Sequence, residues 1–225
     1  MISFNVIPGV ELLANADLLA EMSNLFSTNY GKWSSKGPRP GQPIKMRVEL
    51  MKKMMLFNSE KCGAVIAKSM CESSKLLLIG HAFYYEFSTE NLGKVCWITQ
   101  LITSRFVRHK RIATRSIRTI LSSGDYNVCG LVTSHPYAIQ ALERATSSIC
   151  DRKVIEKYAS EVIENCRLLY MGQNVVIDSH GIINTDYHVD HAEVLKIIQE
   201  ERDASRWIFG ELLEGFEFFA FVFTN

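Results

Sequence analysis

The sequence predicts a mixed α/β fold in which a mostly antiparallel central sheet is flanked by helices. Three observations lead there. Strand-like runs at residues 64–67, 76–87 and 94–103 follow one another with only polar or glycine-bearing turns between them. The last run is apolar on both alternating faces, with Val95, Trp97 and Leu101 on one and Cys96, Ile98 and Ile102 on the other. Such a strand belongs in the middle of a sheet covered on both sides. Amphipathic helical stripes precede and follow this block.

Taken in order, residues 2–7 form a short apolar run that stops at Pro8-Gly9 and reads as a first strand ending in a turn. Leu12, Ala16, Leu19, Met22 and Phe26 then recur at helical spacing and predict one amphipathic helix. Residues 30–43 carry Gly31, Gly37, Pro38, Pro40 and Gly41, a loop long enough to be a binding lid. Ile44, Val48, Met51 and Met55 mark a second helix whose methionines read as core filling. After the three strands come a basic helix from about Lys110, a strand at 128–133, and a helix with Ala138, Ala141, Leu142 and Ala145 on one side. A helix striped by Ile155, Ala159, Val162 and Ile163 follows, then a strand at 168–171, a loop-rich stretch, a helix at 191–201 and an aromatic strand around Phe216. No linker, repeat or low-complexity segment divides the chain, so residues 1–225 read as one domain, with a core at 62–146 and an extension, 147–225, completing the sheet.

Composition narrows the functional classes. With 47% hydrophobic and 22% charged residues the 225-residue chain can bury a core, which excludes disorder as its dominant state. A net charge of +1 supplies no global field toward nucleic acid or membrane, so any polyanion must meet a local patch. No basic-then-apolar leader is visible at the start, and no apolar run approaches the ~18 residues of a membrane helix. Six scattered cysteines without a CxxC spacing read as buried reduced thiols, and the expected location is cytoplasmic.

The chemistry concentrates in Trp97-Ile-Thr-Gln-Leu-Ile-Thr-Ser-Arg-Phe-Val-Arg-His-Lys-Arg-Ile-Ala113, a buried strand, a basic turn and a helix start. Ala113, Ile117, Ile120 and Leu121 form the helix's apolar stripe, opposite Arg108, Arg111, Arg115 and Arg118. First-turn helix amides lack internal partners and attract phosphate, and arginines there add charge-assisted hydrogen bonds. The next strand runs into Ser134-His-Pro-Tyr-Ala138, so two strand–helix units follow each other and invite an extended nucleotide-like ligand between splayed strands.

These segments resemble the GNAT superfamily of acyl-CoA-dependent N-acyltransferases. Its signature Arg/Gln-x-x-Gly-x-Gly/Ala is similar to Arg108-His109-Lys110-Arg111-Ile112-Ala113, and its second motif, Asn then Ala three residues on, falls on His135 and Ala138. The likeness covers residues 1–146 in outline and 101–145 at motif level. It implies acetyl-CoA or another acyl-CoA as cosubstrate, an amine acceptor of small-molecule or protein origin, and no metal. It implies a pantetheine arm along Leu101, Ile102 and Thr103, and phosphates held by Arg108 to Thr114, that is by Arg108, His109, Lys110, Arg111, Ile112, Ala113 and Thr114. The reaction implied is direct attack of the amine on the thioester, with Glu86 or His135 as candidate base and Tyr137 as candidate acid.

Three positions depart from the family pattern: Arg111 stands where the motif has Gly, Leu142 where many members have a tyrosine acid, and residues 97–100 carry no carboxylate. A GNAT-like scaffold that binds CoA without turnover therefore stays beside the enzyme reading. So does a nucleic-acid binder using the six Lys and Arg residues of 105–118, although no interleaved aromatics offer base stacking. Finally, His188, Asp190 and His191 could ligate zinc, but Asp190-x-x-Glu193 ahead of Val194 and Leu195 fits a helix capping box without a metal.

Overall fold

A computed structural model describes residues 1–70, 76–166, 178 and 181–224. The strand expected at 168–171 and Cys71 lie outside the described residues. Strand β1 (Ile2–Pro8) passes directly into α1 (Gly9–Ala14) and α2 (Ala16–Asn29). One helix was expected here; two form, because the Asn15 side chain accepts the Leu18 N–H at 3.1 Å and starts a new helix. After loop 30–47 come α3 (Val48–Met55), β2 (Cys62–Met70), β3 (Leu76–Thr89) and β4 (Gly93–Thr103). A 3-10 turn (Arg105–Val107) leads to α4 (Ile112–Leu121), β5 (Val128–Thr133), α5 (Pro136–Thr146) and α6 (Arg152–Asn165). The chain closes with β6 (Ile182–Tyr187), α7 (Ala192–Asp203) and β7 (Gly215–Phe223). β6 falls in a stretch whose sequence reads as loop, since Ile-Ile-Asn-Thr-Asp-Tyr shows no strand periodicity.

The seven strands form one sheet in the order β1-β2-β3-β4-β5-β7-β6. Only β4 and β5 are parallel; every other neighbouring pair is antiparallel. β4 is the central strand, as its two apolar faces require, and Val95, Cys96, Trp97 and Ile98 are all buried. The expected division of its faces is overturned at one point. Tyr84 pairs with Ile98 while Phe83 pairs with Gln100, so Thr99 is an extra residue, a bulge. An extra residue reverses the alternation: Gln100 and Ile102 share the face of Trp97, while Leu101 and Thr103 share that of Cys96.

Helices cover both faces. On one, Gln100 Nε2 meets Met46 Sδ at 3.3 Å just ahead of α3. On the other, α4 lies across β1 to β4, and a Cβ on Gly80 would stand 2.9 Å from Ile112 Cγ2. That close approach turns α4 so that Ile112, Thr114, Ser116, Ile117 and Ile120 are buried, while Ala113 and Leu121 of the expected stripe are half-buried. Among the described residues no helix is long and apolar enough to cross a membrane. The five described cysteines, Cys62, Cys96, Cys129, Cys150 and Cys166, are free and buried.

Candidate active site

The site begins where the two parallel strands part. Pairing of β4 with β5 runs from Val95–Val128 to Ile98–Leu131 and ends there, although β4 continues to Thr103 and β5 to Thr133. Among the described residues, the β5-facing edge of β4 beyond Ile98 therefore has no strand partner, and the bulge at Thr99 sits where the opening starts. The backbone of Leu101, Ile102 and Thr103 borders the gap, a strip of main-chain groups able to pair with an extended amide-bearing chain. Trp97 forms the floor. Its ring lies over Gly130, where a Cβ would overlap it, and 4.9 Å from the Phe219 ring. Trp97 Nε1 and Thr99 Oγ1 are buried and have no protein hydrogen-bond partner.

At the mouth of the gap the chain turns into α4 through two left-handed residues, His109 at φ 61° and Arg111 at φ 59°. A non-glycine residue in this region costs roughly 1 kcal/mol. The position at which the family motif carries Gly thus keeps the glycine-type backbone even with an arginine on it. Arg111 gives α4 no side-chain cap, whereas Asn15, His135 and Asp151 cap α2, α5 and α6. The amides of Ile112, Ala113 and Thr114 therefore open the helix without a capping oxygen, although the side chains of Ile112 and Thr114 point into the core. His109, Lys110 and Arg111 are exposed on the turn.

A strand pair that parts, with a left-handed turn and an uncapped helix at the mouth, follows the plan that the sequence motifs imply. The architecture is a seven-stranded mixed sheet flanked by helices.

Within that fold the other basic residues are already engaged. Arg108 Nη2 donates to Asn29 O at 2.8 Å, and Asn29 Oδ1 accepts the Arg105 N–H at 2.8 Å, tying the turn to the end of α2. The Arg115 guanidinium lies over the Phe4 ring at 4.3 Å. Arg118 donates to Arg144 O at 2.6 Å and Ala145 O at 3.4 Å, closing the C-terminus of α5. The basic stretch is thus a set of tethers around one small exposed turn, not a continuous phosphate-tracking stripe.

Of the expected catalytic residues, His135 and Tyr137 stand at the mouth and Glu86 does not. His135 Nδ1 accepts the Tyr137 N–H at 3.3 Å as the cap of α5, and the Tyr137 ring lies 5.3 Å from His135 and 5.1 Å from His109. Burial, reinforced by Arg108 and His109 and opposed by Glu193, lowers the His135 pKa to about 4, so it is neutral at pH 7. Glu86 pairs in register with Cys96, at the closed end of the β4–β5 pair. There it accepts the Tyr126 hydroxyl and holds Lys94 Nζ at 3.0 Å. Leu142, at the family's tyrosine position, is fully buried in the core.

Sequence reading missed Glu217. It stands near the start of β7, a lone carboxylate in Phe-Glu-Phe-Phe, only 8% exposed. Thr133 pairs with Phe218, so Glu217 lies beside Ser134, just past the end of β5. The Ser134 N–H and the Thr185 hydroxyl face its carboxyl group, but burial dominates and raises its pKa to about 7. Its only signal in the sequence is a charge interrupting an aromatic strand.

The long loop docks on residues 188–190, which follow β6, and on Glu214, which precedes β7. Trp33 bridges Val189, the Ser34 N–H donates to His188 O at 3.0 Å, and the Asp190 N–H donates to Lys32 O at 2.9 Å. Glu214 accepts the Ser34 hydroxyl and pairs with Lys36 Nζ at 3.2 Å. In the His188–Asp190–His191 cluster, His188 Nε2 lies 2.9 Å from Asp186 and Asp190 accepts the Ala192 N–H at 3.0 Å, while His191 stands at the N-cap of α7 without a side-chain bond, so the expected Asp190–Glu193 capping box does not form. Among the described residues no group of three metal-ligating side chains comes together.

No family model and no curated protein matches the chain. Among solved structures, a mosquito arylalkylamine N-acetyltransferase-like protein (like 5b) shares 10% identity at TM-score 0.47, covering 99% of this chain and 100% of its own. A NatC complex bound to Gag peptide and CoA shares 13% identity at TM-score 0.45, covering 64% of this chain and 80% of that one. A Clostridium acetobutylicum protein described as a predicted acetyltransferase, with acetyl-CoA, shares 15% identity at TM-score 0.42, covering 64% of this chain and 88% of that one. With likenesses this distant, neither residue roles nor substrates transfer from these proteins to this chain.

Proposed function

We propose that the chain is an acyl-CoA-dependent N-acyltransferase that moves an acetyl or other acyl group to an amine. The observation that carries the proposal is the coincidence of three features at one place. β4 parts from β5 after Ile98, the turn beyond it holds His109 and Arg111 in left-handed conformation, and α4 then starts without a side-chain cap. Backbone groups of Leu101, Ile102 and Thr103 would hold the pantetheine arm. The diphosphate would sit on the first amides of α4, with Lys110 and Arg111 supplying charge. Arg108 serves in this reading by holding the turn in place through Asn29. Loop 30–43 acts as the acceptor-side lid, latched by Ser34 and Lys36 to Glu214. The buried free thiols support a reducing, cytoplasmic setting.

A second reading, CoA binding without turnover, is favoured by the burial of Leu142, which leaves the family's acid position inside the core. Calorimetric titration with acetyl-CoA tests both readings together with thiol release over a panel of primary amines. Arg111→Glu keeps the left-handed backbone penalty as it is and reverses one charge, so affinity should fall at least tenfold. An unchanged Kd would move the phosphate site elsewhere. Tight binding with no thiol release would establish the scaffold.

A further inference from the structure

Direct acyl transfer, the reading on which this inference rests, needs a group that strips a proton from the acceptor ammonium. Glu86 is committed to Tyr126 and Lys94 at the closed end of the sheet, and the Nδ1 of His135 is committed to the Tyr137 N–H. Glu217 is differently placed. It shares the face of Phe219 and Trp97, the floor of the gap, and it lies past the end of β5 where the strands have parted. Among the described residues no cation forms an ion pair with it; its polar neighbours are the Ser134 N–H and the Thr185 hydroxyl. A glutamine would satisfy both without the cost of burying a charge, so nothing structural demands a carboxylate there.

An aromatic wall stands next to it. Tyr187, whose own pKa burial and Glu217 push up, meets Tyr30 at 6.0 Å and Trp33 at 5.2 Å, both edge-on. Tyr30 in turn stacks on Phe26 at 4.4 Å. A carboxylate beside Tyr187, with Tyr30 and Trp33 packed on that ring, favours an organic ammonium over a metal ion or an anion.

The geometry points to Glu217 as the general base that receives the acceptor's ammonium, with Tyr187, Tyr30 and Trp33 selecting a primary amine on an apolar or aromatic stem. The Glu217 carboxylate takes one proton from R–NH3+. The freed nitrogen lone pair forms the C–N bond at the thioester carbonyl, and the C–S bond breaks. The leaving thiolate takes the second nitrogen proton and departs as the thiol, and Glu217 returns its proton to water. Its raised pKa, about 7, leaves it partly ionised at neutral pH and able both to accept and to release that proton. Among the described residues, the titratable group facing it is Tyr187, from β6; the turn after β5 contributes the Ser134 amide and β6 also the Thr185 hydroxyl.

The test compares wild type, Glu217→Gln and Glu217→Asp, using acetyl-CoA calorimetry and thiol release with phenethylamine and ethanolamine as probes between pH 5 and 9. Glu217→Gln should keep acetyl-CoA affinity within threefold, lose at least a hundredfold in kcat/KM, and lose the break near pH 7 that wild type shows. Glu217→Asp should recover part of that loss. Phenethylamine should exceed ethanolamine at least tenfold in wild-type kcat/KM. A Gln variant with near-wild-type turnover, or a wild-type profile without a break between pH 6 and 8, overturns the base assignment while leaving the transferase reading intact. Equal use of the two amines overturns the aromatic selection. A wild type that binds no acetyl-CoA, or releases no thiol with either amine, overturns the transferase reading and this assignment with it.

Discussion

Replacing Glu217 by glutamine should stabilise the protein above neutral pH and leave its stability unchanged in acid. Burial raises the carboxyl's pKa from the usual 4.5 to about 7. The native state therefore holds this proton more tightly than the unfolded chain. Between those two values the unfolded chain is ionised while the native carboxyl is still protonated, so the unfolded state binds fewer protons and wild-type stability falls as pH rises. The loss is complete above the folded pKa. At ~1.4 kcal/mol per pKa unit it reaches about 3 kcal/mol by pH 8, or roughly 6–12 °C in Tm for a chain of this size. Glutamine has no charge to bury and still offers an acceptor to the Ser134 N–H. The assay is thermal or urea unfolding of both proteins at pH 4, 5.5, 7 and 8. His81 and His135, both lowered to about 4 by burial, contribute stability that is present above their ordinary value of 6.5 and lost as pH falls through about 4. Both proteins share that acid loss, so it cancels in the difference. A Tm difference that is constant with pH, or larger in acid than at pH 8, would refute the reasoning. If it holds, this carboxylate costs stability at the pH where the proposed reaction needs it, as expected of a functional group.

Two further outcomes follow from the same geometry. Glu86→Gln, which weakens the contacts with Tyr126 and Lys94 at the closed end of the sheet, should leave kcat/KM within twofold and lower stability by about 1 kcal/mol; a large loss of turnover with intact folding would return Glu86 to the catalytic site. Gly130→Ala would drive a methyl into the Trp97 ring and to 2.6 Å from Phe221 Cβ, costing about 3 kcal/mol in urea unfolding, and an unchanged midpoint would show that Trp97 does not floor the gap as described.

Much of the architecture was legible because it rests on local periodicity. The apolar run of β4, the stripe of α4 and the aromatic β7 announce themselves over nine to eleven residues. The phosphate turn was legible through residue type and spacing, although arginine at position 111 concealed a backbone that the structure shows to be glycine-like. Asn15 is a capping residue by type, but the apolar stripe continues across it, and the break shows only where its side chain accepts the Leu18 N–H. β6 has no pattern of its own and becomes a strand because β7 pairs with it.

By itself, then, the sequence determined which segments coil and which extend, and where a phosphate-attracting helix start follows a buried strand, because these depend on neighbours three or four positions away. Tertiary structure alone decided the rest. The bulge at Thr99 that reverses the faces of β4 exists only in its pairing with β3. The parting of β4 from β5 and the burial of Glu217 beside Ser134 and Tyr187 involve residues 30 to 83 positions apart. Such contacts set desolvation and electrostatics, and those turn a lone charge in an aromatic strand into a candidate base.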